Sequence, residues 1–418
     1  MPVSPLASAT DRSAPAATWR LLSSQPHRLM FFFGALQAIA AMAWWVLDVS
    51  GGYAAWHAPY AWTVPPMWAH AWLLLYGLFP FFMFGFLMTA GPSWLGAPAP
   101  ARSVYVPAAL AMAAGLALFY VGLATARPVA AAGALVHLGG WLWGVSALMR
   151  MAARHWSPQA RYALLIFGFV AIGVFGGAVF ALSLATGDYG YAAYALHGAV
   201  WFFLLPVFLG VSTRMVPFFS SRVLGPQVDY KPGWVRPVLV TGALAHGALE
   251  MGGTQHLLWL VDIPLSLAIA LLVWKWGLSK SLRVRLLAVL HLSLAMLAIA
   301  FLLSGVLSLA VAAGALPRIG LAPLHLVVVG YFAATVIAMV SRVSLGHSGR
   351  ALEADALTWS CYLGVMLAAV LRAAAEFLPG STAGALLMLA ASLAWLAAFG
   401  VWAMRYVPMY LRPRVDGR

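Results

Sequence analysis

The feature that most constrains this chain is an apolar segment of about twenty residues that recurs about twelve times between Leu29 and Val407, with only short polar turns between copies. A helix needs about 20 apolar residues to cross about 30 Å of hydrocarbon. Inside a bilayer the backbone must satisfy its own hydrogen bonds, which leaves helices or a closed barrel. The ten-residue alternation of a barrel is absent, so the expected class is an all-α membrane protein of about twelve transmembrane helices. Charged residues form 8% of the chain, against about 25% in ordinary soluble domains. No linker separates soluble domains, so any chemistry sits within or beside the bilayer.

A net charge of +14 looks like the mark of a nucleic-acid partner until the charges are placed. Nearly all lie in short loops between spans. With an even number of spans, Lys and Arg fall in the two tails and the even-numbered loops. Only Arg127 and Arg318 lie on the other face, and Arg372 lies within a span. The positive-inside rule then puts both termini in the cytoplasm and makes the lipid bilayer, rather than nucleic acid, the partner. Met1 to Arg28 reads as a mobile cytoplasmic tail, residues 29–407 as the polytopic domain and 408–418 as a second tail. Cys361 is the only cysteine and lies in an apolar run, which excludes an internal disulfide, a Cys-based zinc site and a covalently attached c-type haem.

The histidines carry the chemical signal. His70, His197 and His325 each stand near the outer start of the second, sixth and tenth spans, with separations of 127 and 128 residues. The sixth and tenth spans also share an ending, Thr213-Arg214 and Ser341-Arg342, at the same distance beyond their His. This spacing predicts three pseudo-repeats of four helices. Polar side chains in hydrocarbon usually face a bundle interior, and imidazole is both a common transition-metal ligand and an axial haem ligand. His70, His197 and His325 are therefore candidate haem or metal ligands, with an interfacial His bonded to a carbonyl or water as the plain alternative for each.

His137 lies deeper, in LVHLGGWLW, where the paired Gly admits either a neighbouring helix or a flat ring. It is a candidate cofactor ligand or a buried His bonded across helices. His246 and Glu250, spaced i, i+4, share one helix face, with His256 just beyond. A His and a carboxylate so placed suit copper, a proton path or a hydrogen-bonded polar patch. Arg372 and Glu376 repeat the spacing; they suit a local ion pair, or Arg372 a cofactor carboxylate such as a haem propionate. Pro80 and Pro206 are expected to kink the second and sixth spans and free carbonyls near the bundle middle.

Three stretches resemble one family. SRVSLGHSGR, Ser341 to Arg350, is similar to the signature of the NnrS family, polytopic haem- and copper-containing membrane proteins associated with denitrification and nitric oxide resistance. GFLMTAGPSWLG, Gly85 to Gly96, and RMVPFF, Arg214 to Phe219, resemble that family's second-helix and sixth-helix ends. The matching positions are His70, Arg214, Pro217, His325, Arg342, Gly346, His347 and Arg350. Where the family commonly has His-Ala-His-Glu-Met, this chain reads His70-Ala71-Trp72-Leu73-Leu74, so a metal site needing the second His and the Glu does not carry over. The resemblance implies a bacterial inner-membrane protein with haem b, with copper as a further candidate and nitric oxide as small ligand. Two rivals stand beside it. A secondary transporter would use His246, Glu250 or Arg372 for substrate or protons. A haem–copper oxidase or nitric oxide reductase core has a similar helix number, but this chain has no adjacent histidines to hold a metal beside an active haem.

Overall fold

The computed structural model describes residues 14–417, and every regular element among them is helical. We label the twelve long helices in chain order. α1 is Pro26–Gly52, α2 Pro66–Leu95, α3 Arg102–Thr125 and α4 Arg127–Arg154. α5 is Pro158–Thr186, α6 Gly190–Leu224, α7 Val235–Met251 and α8 Trp259–Lys275. α9 is Arg285–Ala312, α10 Ala322–His347, α11 Ala356–Ala375 and α12 Thr382–Leu411. Ten of them are long and apolar enough to cross a membrane. The exceptions are α7 and α8, helical as expected but 17 residues each, which is about 26 Å of rise.

Both tail boundaries move. Residues 1–13 of the expected N-terminal tail lie outside the described residues, while Ala14–Leu22 forms a short helix and α1 already starts at Pro26. Arg28, placed in the tail by charge, is buried because its guanidinium reaches the carbonyls of Tyr410 and Leu21. At the other end α12 runs on to Leu411, and the segment beyond folds back so that Arg414 donates to the His347 carbonyl and Val415 N–H to Ser348.

Sequence neighbours pair as antiparallel hairpins, and α12 packs on α1, so the chain closes on itself. Helix starts follow local chemistry. Pro26 and Pro66 occupy first turns, where no N–H is needed. Ser157, Asp355 and Ser381 accept the free amides of Ala160, Thr358 and Gly384. The α3–α4 hairpin is the tightest. A Cβ at Gly115 would collide with the backbone of His137, and one at Gly122 with that of Ala130, so these glycines set the helix separation.

The three histidine-bearing helices are the most enclosed: 83% of α2, 78% of α6 and 89% of α10 is buried, measured over each one's most apolar stretch. They meet through Phe79, Phe208 and Phe332, whose rings lie 4.6 to 5.8 Å apart. Each departs from α geometry just beyond its His. α2 breaks at Tyr76–Leu78, α6 is a π-helix over Ala199–Leu204, and α10 is a π-helix over Leu326–Ala333. In α2 the cause is legible: Pro80 has no N–H to give the Tyr76 carbonyl four residues earlier. Pro206 directly follows the π segment of α6.

Candidate functional site

Most of the basic residues lie at the end of the bundle opposite the two histidine clusters described below. At one end Arg28 reaches α12, Arg405 pairs with Asp355 at 2.8 Å, and the rings of His27 and His347 lie 4.4 Å apart. The family-like segment Ser341 to Arg350 ends here, a helix length from His325. The other end holds two polar clusters inside the apolar bundle.

The first cluster joins α1, α2, α10 and α11. The His70 ring stacks on Trp45 with centroids 4.0 Å apart, and its Nδ1 is buried without a hydrogen-bond partner. His325 Nδ1 lies 2.8 Å from the Leu321 carbonyl. A carbonyl only accepts, so Nδ1 carries the proton and Nε2 keeps its lone pair. That is how a metal-ligating imidazole is commonly oriented. Arg372 pairs with Glu376 at 2.6 Å, and the second oxygen of Glu376 accepts the Leu321 N–H at 3.3 Å. The acid thus ties the guanidinium to the turn that orients His325. Arg372 is within electrostatic reach of both His70 and His325, and the two imidazoles are within reach of each other. Two imidazoles with uncommitted nitrogens beside a cation fit the donor set of a haem iron with its propionates.

The second cluster joins α6, α7 and α8. His246 Nδ1 lies 2.7 Å from the Asp262 carboxylate, so its proton sits on that side and Nε2 is left open. The Glu250 carboxylate is 3.9 Å from that Nε2 and 3.3 Å from His197 Nδ1. Glu250 Oε2 and His197 Nδ1 are both buried and face each other. Trp201, within the π segment of α6, covers His246 with ring centroids 3.9 Å apart. A narrow cleft lined by His246, Glu250, Gln255 and Ser304 opens beside them. Among the described residues no three of His, Cys, Asp and Glu already stand around a metal position.

Two sequence candidates stand apart from these clusters. His137 is fully buried, but its Nδ1 meets the Met112 carbonyl at 2.9 Å and its Nε2 the Tyr76 carbonyl at 3.0 Å. The second is the acceptor that Pro80 releases. A neutral imidazole has one N–H, so one of these carbonyls receives it while the other nitrogen is closed in by the second carbonyl, and His137 serves to join helices. The Gly beside it serves helix approach, since Gly140 faces the Ala108 carbonyl of α3. His256 is exposed on the turn after α7, where its neighbour Gln255 makes the contacts to Ser308 and Ile319. His70 and His325 therefore come together, as do His197, His246 and Glu250, but the six expected metal ligands do not form one centre. The residue that sequence reasoning missed is Asp262. Its signal was available, as a lone carboxylate in the apolar run LVDIPLSLAIALLV.

Fold and site together define a polytopic helical membrane protein with imidazole–carboxylate clusters at one end of its core. In fold the chain is similar to a solved haem–copper terminal oxidase dimer, with a TM-score of 0.51 and 11% identity, covering 96% of this chain and 85% of that one. Residues 21–414 match the family model described as "NnrS protein", and the chain belongs to the NnrS family. No curated protein matches it.

Proposed function

We propose that this protein is a membrane haem protein that also binds copper and acts in nitric oxide metabolism or in defence against nitrosative stress. The observation that carries the reading is the pair of fixed imidazoles in the first cluster, each oriented by a neighbour yet with a nitrogen left unused. His70 and His325 would hold b-type haem, with Arg372 available to the propionates. When bound, the haem would supply a redox-active iron. The chain's own groups do the rest: the Leu321 carbonyl keeps the His325 proton on Nδ1, Trp45 fixes the His70 plane, and apolar walls exclude water.

Copper is assigned to His197, His246 and Glu250. Ligands on a tetrahedral metal lie about 3.3 Å apart. The His197–Glu250 distance already equals that, and the His246–Glu250 distance of 3.9 Å needs only a small closure. Asp262 would act by holding the His246 proton away from the metal side. Both termini are assigned to the cytoplasm of a bacterial inner membrane, which puts the two clusters in the outer half. The three enclosed helices support three four-helix units arranged about α2, α6 and α10.

The test is to purify the protein in detergent, record its absorption spectrum and measure its metals. A Soret band with stoichiometric iron is expected; no Soret band and neither metal would sink the assignment. A second reading, catalytic turnover of the oxidase or nitric oxide reductase kind, is favoured by the fold likeness. Consumption of oxygen or nitric oxide by the reduced, purified protein would select it.

A further inference from the structure

At the basic end, a cleft of about 190 Å³ runs between α5, α6 and α7, and no residue of either histidine cluster lines it. Its walls, among them Leu165, Ile166, Phe169, Pro206 and Leu209, are almost entirely apolar, and Leu165 is half exposed on the outer surface. From Tyr162 at its mouth to Phe169 the cleft follows α5 for seven residues, about 10 Å into the bilayer zone. The hydroxyls inside are spent: those of Tyr162 and Thr213 both donate to the Gly210 carbonyl. Past the mouth a ligand therefore meets hydrocarbon and finds no free donor, which suits an acyl chain.

The mouth is charged. Arg236 lines it and lies over the Tyr162 ring at 4.0 Å, while Arg214, next in sequence to the lining Thr213, lies over Trp94 at 5.0 Å. Each is within electrostatic reach of the other. Neither is within ion-pair distance of a carboxylate among the described residues. Stacking uses the guanidinium face and leaves the N–H edges free. Two like charges held together at the headgroup level without an acid call for an anion from outside.

We propose that this cleft is a binding site for one anionic phospholipid, its phosphate on Arg214 and Arg236 and one acyl chain between α5, α6 and α7. The site is independent of the haem and copper assignment. The full-length protein, washed extensively in mild detergent, would be analysed by native mass spectrometry and by quantifying extracted lipids. One retained phosphatidylglycerol or cardiolipin per chain is expected. Affinity for phosphatidylglycerol, titrated into delipidated protein, should fall about fivefold for each of Arg214→Gln and Arg236→Gln. Val240→Phe, which fills the cleft and leaves both guanidiniums in place, should lower retention as well; gel filtration and melting temperature report that each variant is folded. Equal retention of phosphatidylcholine, stoichiometric quinone in the extract, or anionic lipid retained unchanged by all three folded variants would overturn the proposal.

Discussion

Two hairpins in this molecule each bury a histidine, and they use it in opposite ways. In α3–α4, glycines bring the helices into backbone contact, and His137 has both nitrogens walled in by carbonyls of α2 and α3, one of which takes its single proton. In α7–α8, both helices are short, and His246 spends one nitrogen on Asp262 while the other faces Glu250. Burial is the same, since both rings are shielded. What separates a structural imidazole from an available one is the number of acceptors the fold aims at it. Pro80 supplies the extra acceptor for His137 by releasing Tyr76; α7 and α8 supply only the one that orients His246.

The largest effect that would break this comparison concerns the cofactor. His325→Ala and His70→Ala are expected to abolish the Soret band of the purified protein. His137→Ala should keep the band and instead lose about 3 kcal/mol of stability, because it leaves a cavity and takes the donor away from a buried carbonyl. Loss of the Soret band in folded His137→Ala would reverse the roles of the structural and the available histidine. Next in size is the orienting carboxylate. Asp262→Asn should weaken copper binding about 10- to 100-fold, the usual cost of removing a metal ligand's hydrogen-bonded partner, with the haem spectrum unchanged. Unchanged copper stoichiometry and affinity in that variant would place the copper elsewhere.

A third prediction sharpens the hairpin contrast through packing alone. Gly115→Ala adds a methyl that collides with the His137 backbone, and overpacking of this kind costs about 1–3 kcal/mol. A lowered melting temperature with full cofactor content is expected. Gly139→Ala, two residues beyond His137 but with open space at its Cβ, should be close to neutral.

The contrast also shows which parts of the fold the sequence makes legible. Apolar run length and the Lys and Arg distribution pick out the helices, because bilayer thickness and charge placement act on each segment separately. His70 and His325 could be singled out together because both sit one turn into helices that start at the same end. Their orienting partners could not, since Trp45 and Glu376 arrive from other helices and the Leu321 carbonyl has no side-chain code. The fate of His137 depended on a carbonyl freed 61 residues earlier, which Pro80 announces only once the two helices are known to touch. Arg28 shows the limit of reading charge as surface: its guanidinium is buried because carbonyls at the end of α12 receive it.

The smallest effect lies outside both hairpins, at Asp355, and is a control for them. Its carboxylate caps α11 by accepting the Thr358 N–H at 2.8 Å and faces Arg405 at 2.8 Å. The backbone hydrogen bond from Thr358 holds the Asp355 carboxyl below its usual 3.8, against a smaller opposing effect of burial. A carboxyl lowered on folding contributes stability that is fully present above the unfolded value and is lost as pH falls through the folded one. Asp355 should therefore support the fold at neutral pH and cease to do so below about pH 4. The Arg405 pair adds little, being half exposed and screened. Asp355→Ala should cost about 1 kcal/mol at pH 7, whereas Asp355→Asn, which caps equally well without charge, should cost almost nothing and flatten the acid limb of the melting curve. Neither variant should alter the Soret band or the copper content, because Asp355 lies at the basic end, a helix length from both clusters. A cofactor change in Asp355→Asn would mean that the two ends of the bundle are coupled.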